Sequence, residues 1–358
     1  MRIDCQSHIF PRAYIDVLAQ NPHPPQIELL RTARDNSDES ACSDVSIGKR
    51  SSRREISNIS DVQHGDEFVI TYGDVQQFRL QEEMYLPKRK LQDMDRAGID
   101  IALISTNIPG PCMLVPDLAI KGAQAINNAI AEMIQQHPDR FAGLASLPWQ
   151  DVDATIDEMN RVHNLGFCGV MLYSHIGGRP VDAPAFDPIY RHAQAKELPI
   201  VLHPTVPTWG EAIKDHSMIP MMGLQVDTSF ALLRLILGGV LERHPRLKVV
   251  MPHVGGVLPY MMGRIEHQTE VMGRGREHIK QPPSAYMRRI YLDTVSPSAQ
   301  ALQYAYDFSG PQYLVFGTDH PWVDPQIFVT LIEEMDIPDA EKMQIFGGNA
   351  AELFGLET

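Results

Sequence analysis

Pro199-Ile200-Val201-Leu202-His203-Pro204 decides how this chain is read. Ile200, Val201 and Leu202 are apolar at consecutive positions. A strand with apolar side chains on both faces fits a parallel sheet covered on both sides, not a half-exposed antiparallel one. The run also ends on a histidine followed by a proline, which stops the strand there. The same kind of segment recurs in both directions. Downstream lie 247–253 (LKVVMPH), 290–294 (IYLDT) and 313–319 (YLVFGTD); upstream lie 169–173 (GVMLY), 141–147 (FAGLASL), 101–106 (IALIST) and 2–5 (RIDC). Helix-like stretches separate them, at 87–97, 117–136, 151–165, 228–243 and 325–335, with Asp151 and Asp227–Thr228 placed as caps near helix starts. Eight strand–helix units in succession predict an α/β fold, a closed (β/α)₈ TIM barrel in one domain spanning 1–358. Residues 339–354 predict an extra C-terminal helix.

Residues 20–66 interrupt the alternation. They are rich in Pro, Ser, Asp and Arg and poor in large apolar side chains, so 33–62 is expected to be mobile or irregular. The next stretch, 67–80 (EFVITYGDVQQFRL), reads as two strands around Tyr72-Gly73-Asp74. Together, 20–80 form an insertion between the first barrel strand and its helix. Active sites of such barrels lie at the C-terminal ends of the strands. The insertion leaves the barrel on that face, as a solvated loop or as a lid over the site.

Composition narrows the function. Against 45 acidic side chains stand 31 Lys and Arg, a formal net charge of −14 over 358 residues. A nucleic-acid surface needs a positive field to meet phosphates, so none is expected. No uncharged apolar window of about 18 residues is found, and no charged-then-apolar leader opens the chain; neither a membrane span nor a signal peptide is expected. Cys5, Cys42, Cys112 and Cys168 are scattered and form no CxxC pair, which fits a reducing cytoplasm. A small-molecule enzyme, expected as a homodimer, and an inert scaffold remain.

His8 lies just past the first strand, His203 ends the fifth, His253 ends the sixth and Asp319 ends the eighth. Each alone reads as readily as a structural histidine or a capping aspartate. Four of them at the ends of different strands point to one shared mouth. Imidazole and carboxylate are good ligands for Zn²⁺, Mn²⁺ or Fe²⁺. Further candidates surround them. Arg79 follows the hairpin and could clamp a substrate carboxylate or, as readily, form a surface salt bridge. Trp209 and Trp322 could wall a flat substrate. Tyr173 and His175 could point into the mouth, whereas His320 is expected to face away. Arg264 and Glu266 read as structural.

Whole segments resemble the amidohydrolase superfamily, in the branch of aminocarboxymuconate-semialdehyde decarboxylase and γ-resorcylate decarboxylase. They are Ile3-Asp4-Cys5-Gln6-Ser7-His8-Ile9-Phe10-Pro11, the stretch Lys90 to Asp100, His137-Pro138-Asp139-Arg140-Phe141, and Gly347 to Phe354. The resemblance covers the chain except about 20–66. It implies that His8, His203 and Asp319 are metal ligands and that His253 is a catalytic acid or base, with Asp319 a second proton carrier. Other branches bridge two metals with a lysine on the fourth strand. Gly169-Val170-Met171-Leu172-Tyr173 has none, which implies a single divalent ion, Zn or Mn.

Gln6 departs from the pattern, since the resembling families place His or Glu there. With His8, His203 and ionised Asp319, a divalent ion leaves a site of formal charge +1. An amide oxygen does not neutralise it, so the ion should bind less tightly and polarise its surroundings more. An oxygen-richer donor set also favours Mn²⁺ over Zn²⁺. The resemblance implies decarboxylation of a small aromatic or conjugated carboxylate. Hydrolysis of a lactone, amide or C–C bond fits the same site, and Gln6 leaves open a degenerate barrel that acts only as a binding module.

Overall fold

The computed structural model describes residues 1–30, 67–80 and 84–357. In chain order its strands are β1 (Ile3–His8), β2 (Gln26–Leu30), β3 (Glu67–Tyr72), β4 (Gln76–Leu80), β5 (Ile101–Ser105), β6 (Phe141–Ala145), β7 (Gly169–Tyr173), β8 (His175–Ile176), β9 (Arg179–Pro180), β10 (Ile200–His203), β11 (Val249–Met251), β12 (Tyr291–Asp293) and β13 (Leu314–Val315). Eight of them form one sheet in the order β1-β5-β6-β7-β10-β11-β12-β13. Every pairing within it is parallel.

The sheet closes on itself. Cys5 N–H donates to Phe316 O, Asp319 N–H to Gln6 O and His8 N–H to His320 O, each at 2.8 Å. The residues just past β13 thus complete the ladder with β1. This closure sets Asp319 beside Gln6 and His8.

Consecutive apolar residues build the strands because both faces are covered. Ile200, Leu202, Val249, Met251, Leu292 and Leu314 are fully buried. The helices Pro87–Ala97, Pro116–Gln136 and Pro325–Glu333 each begin with a proline, where its missing N–H costs nothing. Asp151 caps Val152–His163 by accepting from Ala154 N–H. Gly98, in the left-handed region, ends Pro87–Ala97. The C-terminal stretch runs helically through Asp339–Met343, Gln344–Gly348 and Asn349–Phe354.

One expectation changes. Asp227 and Thr228 are not caps, because the helix Leu224–Leu237 continues a helical turn at Ile219–Gly223 and carries both residues in its interior. Instead the Asp227 carboxylate accepts from Ser174 Oγ and Trp209 Nε1. In the described part of the insertion the expected hairpin gains a third strand. β2 pairs antiparallel with β3, and β3 with β4, in a three-stranded sheet. The expected mobility of 33–62 lies outside the described residues. Lastly, Asp215–Leu237 reaches the length and mean hydropathy, 1.2, of a membrane-crossing helix. Half of that window is buried, and the chain leaves helical geometry at His216, so it serves as a core helix of the barrel.

Candidate metal centre and active site

His8, His203 and Asp319 converge at the mouth, with ligand atoms all within 4.8 Å of one another. His8 Nε2 faces Asp319 Oδ1 at 3.2 Å without hydrogen-bond alignment, and the rings of His8 and His203 meet edge-on at 4.8 Å. Both imidazoles are anchored from behind. His203 Nδ1 donates to Pro204 O at 2.7 Å, which leaves Nε2 an acceptor, 3.4 Å from Asn107 Nδ2. His8 Nδ1 lies 2.8 Å from Ser105 Oγ. Such outer contacts fix the ring orientation of a ligand before any ion arrives. His253 joins the group, with Nε2 3.9 Å from Asp319 Oδ2.

The backbone is strained where these side chains emerge. Asp319 has φ +55°, His253 +57° and Val254 +49°. Left-handed geometry is costly for non-glycine residues, especially a β-branched one, and persists only where surroundings enforce it. Two buried carboxylates enforce it. Asp4 accepts from Thr318 N–H and Thr318 Oγ, one residue before Asp319. Asp293, at the end of β12, accepts from His253 N–H at 2.7 Å and Val295 N–H at 2.9 Å. Burial raises the pKa of both carboxyls to about 6.

Electrostatics divide the labour. Burial, reinforced by the neighbouring His8, lowers the His203 pKa to about 3. Burial likewise lowers that of His8, against the pull of Asp319. Both are therefore neutral imidazoles at pH 7, the form that binds metal. Burial opposes ionisation of Asp319, but the imidazoles of His253 and His8 beside it win and hold its pKa below the usual carboxylate range. Burial acts against a charged His253 too, and Asp319 reverses it, so His253 shifts upward.

Gln6 is buried, and neither its amide oxygen nor its amide nitrogen has a hydrogen-bond partner. His8 Nε2 is buried in the same condition. Unpaired buried polar groups are costly. Two neutral imidazoles, one ionised carboxylate and an unspent amide oxygen form a donor set that fits a divalent cation.

His203 and Asp319 open into a cavity of about 220 Å³, smaller than the roughly 300–1,000 Å³ of pockets for drug-sized ligands. Its lining includes His203, His253, Asp319, Asn107, Gln76, Phe78, Gln225 and Trp322. Phe78 and Trp322 meet edge-to-face at 5.6 Å and form an aromatic wall. Of the candidate substrate residues, only Trp322 lines this space. Arg79 is exposed on β4, one position from the inward Phe78, and successive strand residues point to opposite faces. The Tyr173 phenol donates to Thr106 O, and its ring occupies the space a Cβ on Gly110 would need. Trp209 is bound to Asp227. His175 is held between Val206 O and Gly178 N–H.

The amidohydrolase family model matches residues 3–356. The chain belongs to the amidohydrolase family. It is 29% identical over 279 residues to the 2-amino-3-carboxymuconate-6-semialdehyde decarboxylase of Dictyostelium discoideum, covering 76% of this chain and 77% of that one. It is 30% identical over 291 residues to a γ-resorcylate decarboxylase of Rhizobium sp. (strain MTP-10005), covering 75% and 86%. Among solved structures it resembles the dihydroxybenzoic acid decarboxylase of Polaromonas sp. JS666 with bound manganese and 2-nitroresorcinol. There the TM-score is 0.72 at 28% identity, covering 77% of this chain and 88% of that one.

Within this amidohydrolase barrel, two features escape motif reading. Asp293 is one, although an aspartate ending a strand (IYLDT) is the same signal that singled out Asp319. Lys90 is the other. It is only 1% exposed, with Nζ 2.8 Å from Ser7 Oγ and 2.7 Å from His320 Nδ1. His320 faces away from the ligands, and its Nε2 lies 3.0 Å from Asp93 Oδ2. Lys90, Asp93, Met94 and Ala97 are the buried residues of Pro87–Ala97, at helical spacing, so periodicity alone marks Lys90 as inward.

Proposed function

We propose that this protein is a metal-dependent decarboxylase of a small aromatic or conjugated carboxylate. The observation that carries the reading is the convergence of His8, His203 and Asp319, with His253 beside them, in a small cavity with an aromatic wall. Relatives named for decarboxylation support the choice of reaction, which fold alone does not make.

His8, His203 and Asp319 would hold the ion, with the Gln6 amide oxygen added to the set. When bound, a divalent ion supplies Lewis acidity toward a substrate oxygen and fixes its position. The protein does the rest. Phe78 and Trp322 hold the ring against the aromatic wall. His253 delivers a proton from its ring nitrogen to the carbon bearing the carboxylate. That carbon becomes tetrahedral, and the bond to the carboxylate breaks. Its electron pair returns to the ring as CO₂ leaves, and His253 is reprotonated from solvent. Asp319 stabilises the charged imidazole between turnovers. On this reading the protein acts in the cytoplasm, in keeping with free Cys5, Cys112 and Cys168, and as a homodimer.

Turnover in D₂O tests the reaction type. Decarboxylation places one deuterium on the carbon that lost CO₂. The hydrolytic alternative, on a lactone, amide or C–C bond, places solvent oxygen in the product. Uptake of ¹⁸O from labelled water with no ring deuterium overturns the proposal.

A further inference from the structure

Gln225 lies in the first turn of the helix Leu224–Leu237 and lines the cavity. Its backbone is fixed from within the helix, where Ser229 Oγ donates to its carbonyl. Its side-chain oxygen is buried and has no hydrogen-bond partner. The other amides on this wall are engaged. Asn107 Oδ1 accepts from Ile108 N–H at 2.6 Å, and its Nδ2 lies 3.4 Å from His203 Nε2. Gln76 Nε2 donates to Gln77 O. Apart from His253 Nδ1, Gln225 Oε1 is the buried side-chain atom of this lining without a hydrogen-bond partner among the described residues.

An amide oxygen only accepts. A ligand seated here leaves it unpaired unless the ligand brings an O–H or N–H. The described lining also carries no lysine or arginine. A second anionic substituent on the ring would thus meet no lysine or arginine among the described residues. The cavity has room for one substituted ring against Phe78 and Trp322.

We propose that Gln225 is the specificity residue of this cavity. It accepts a hydrogen bond from a neutral donor on the substrate ring, a hydroxyl or an amino group. It thereby discriminates against acceptor-only groups such as methoxy at the same position. This rests on the carboxylate-binding reading of the site but not on the reaction that follows. A site built to bond a hydroxyl selects strongly against an analogue that lacks the proton, because its own acceptor is left buried and unpaired.

The test is equilibrium binding to the manganese-loaded protein, by calorimetry. The probes are 2-hydroxybenzoates carrying either hydroxyl or methoxy at each of ring positions 3 to 6. At one position or more, hydroxyl should bind about 10- to 100-fold more tightly than methoxy. Gln225→Met, which keeps helix propensity and volume but has no oxygen, should reduce that preference to within about threefold. Gln225→Glu, which keeps an acceptor, should preserve it, and it also guards against a Met variant that misfolds. No preference at any position, or a preference that survives in Gln225→Met, overturns the proposal. Carbon dioxide release is measured separately. Selective binding without CO₂ removes the decarboxylase reading and leaves Gln225 standing.

Discussion

Lys90 Nζ lies 2.7 Å from His320 Nδ1 and 2.8 Å from Ser7 Oγ, so one buried amine joins the residues next to Asp319 and His8 across the barrel seam. Ser7 and His320 are also bridged through the backbone. Lys90 is thus placed to set the spacing of two ligands it never touches. Lys90→Met should retain the barrel, lower stability by about 1–3 kcal/mol through stranded polar partners and weaken Mn²⁺ binding about tenfold or more, as losses behind metal ligands do. Urea unfolding and metal titration check this. Reduced stability with unchanged metal affinity would make Lys90 structural only.

Elemental analysis after Mn²⁺ or Zn²⁺ loading should find about one ion per chain. His203→Ala should lose most of it, whereas His253→Ala should keep it and slow turnover by about 10²–10⁴-fold. The two histidines differ because His203 belongs to the trio, whereas His253 lies outside it with Nε2 3.9 Å from Asp319 Oδ2. If metal and activity fall together in His253→Ala, that residue is a ligand.

Gln6 decides whether the site is tuned or degenerate. Its amide is buried and unpartnered, and an amide can bind a cation only through oxygen. Gln6→Glu should tighten Mn²⁺ binding by neutralising the +1 site, and Gln6→His should shift preference toward Zn²⁺. Equal affinities for wild type and both variants would remove Gln6 from the ligand set and favour a barrel that only binds.

The hairpin reaches the site through a face that side-chain chemistry alone does not indicate. Phe78→Ala should raise KM about tenfold by removing half of the aromatic wall. Arg79→Ala, on the opposite face, should change KM less than about twofold. Initial-rate kinetics separate them. The reverse ranking would restore Arg79 as a carboxylate clamp.

That contrast shows where sequence reading stops. The barrel is legible because parallel strands need unbroken apolar runs such as Ile200–Leu202, and the ligands because strand ends are the only place eight strands share. By its charge Arg79 reads equally as a carboxylate clamp or a surface ion pair, and the register of β3 against β4 turns Gln76 and Phe78 inward instead. Strand β2 sits behind Pro24 and Pro25 in a polar stretch, and its pairing with β3 is a long-range choice that no local pattern announces. Asp227 resembles a cap by residue type, but the helix begins earlier because Ile219–Gly223 continues into it. Gln225 is a common helix-surface residue, and only the three-dimensional cavity reveals its unpaired oxygen.

The most direct test of the central claim is CO₂ release by the manganese-loaded protein across a panel of hydroxylated aromatic carboxylates. The account predicts one CO₂ per ring product, abolished by a chelator and restored by adding Mn²⁺. Full metal occupancy with no CO₂ from any member of the panel, alongside hydrolysis of lactones or amides, would contradict it.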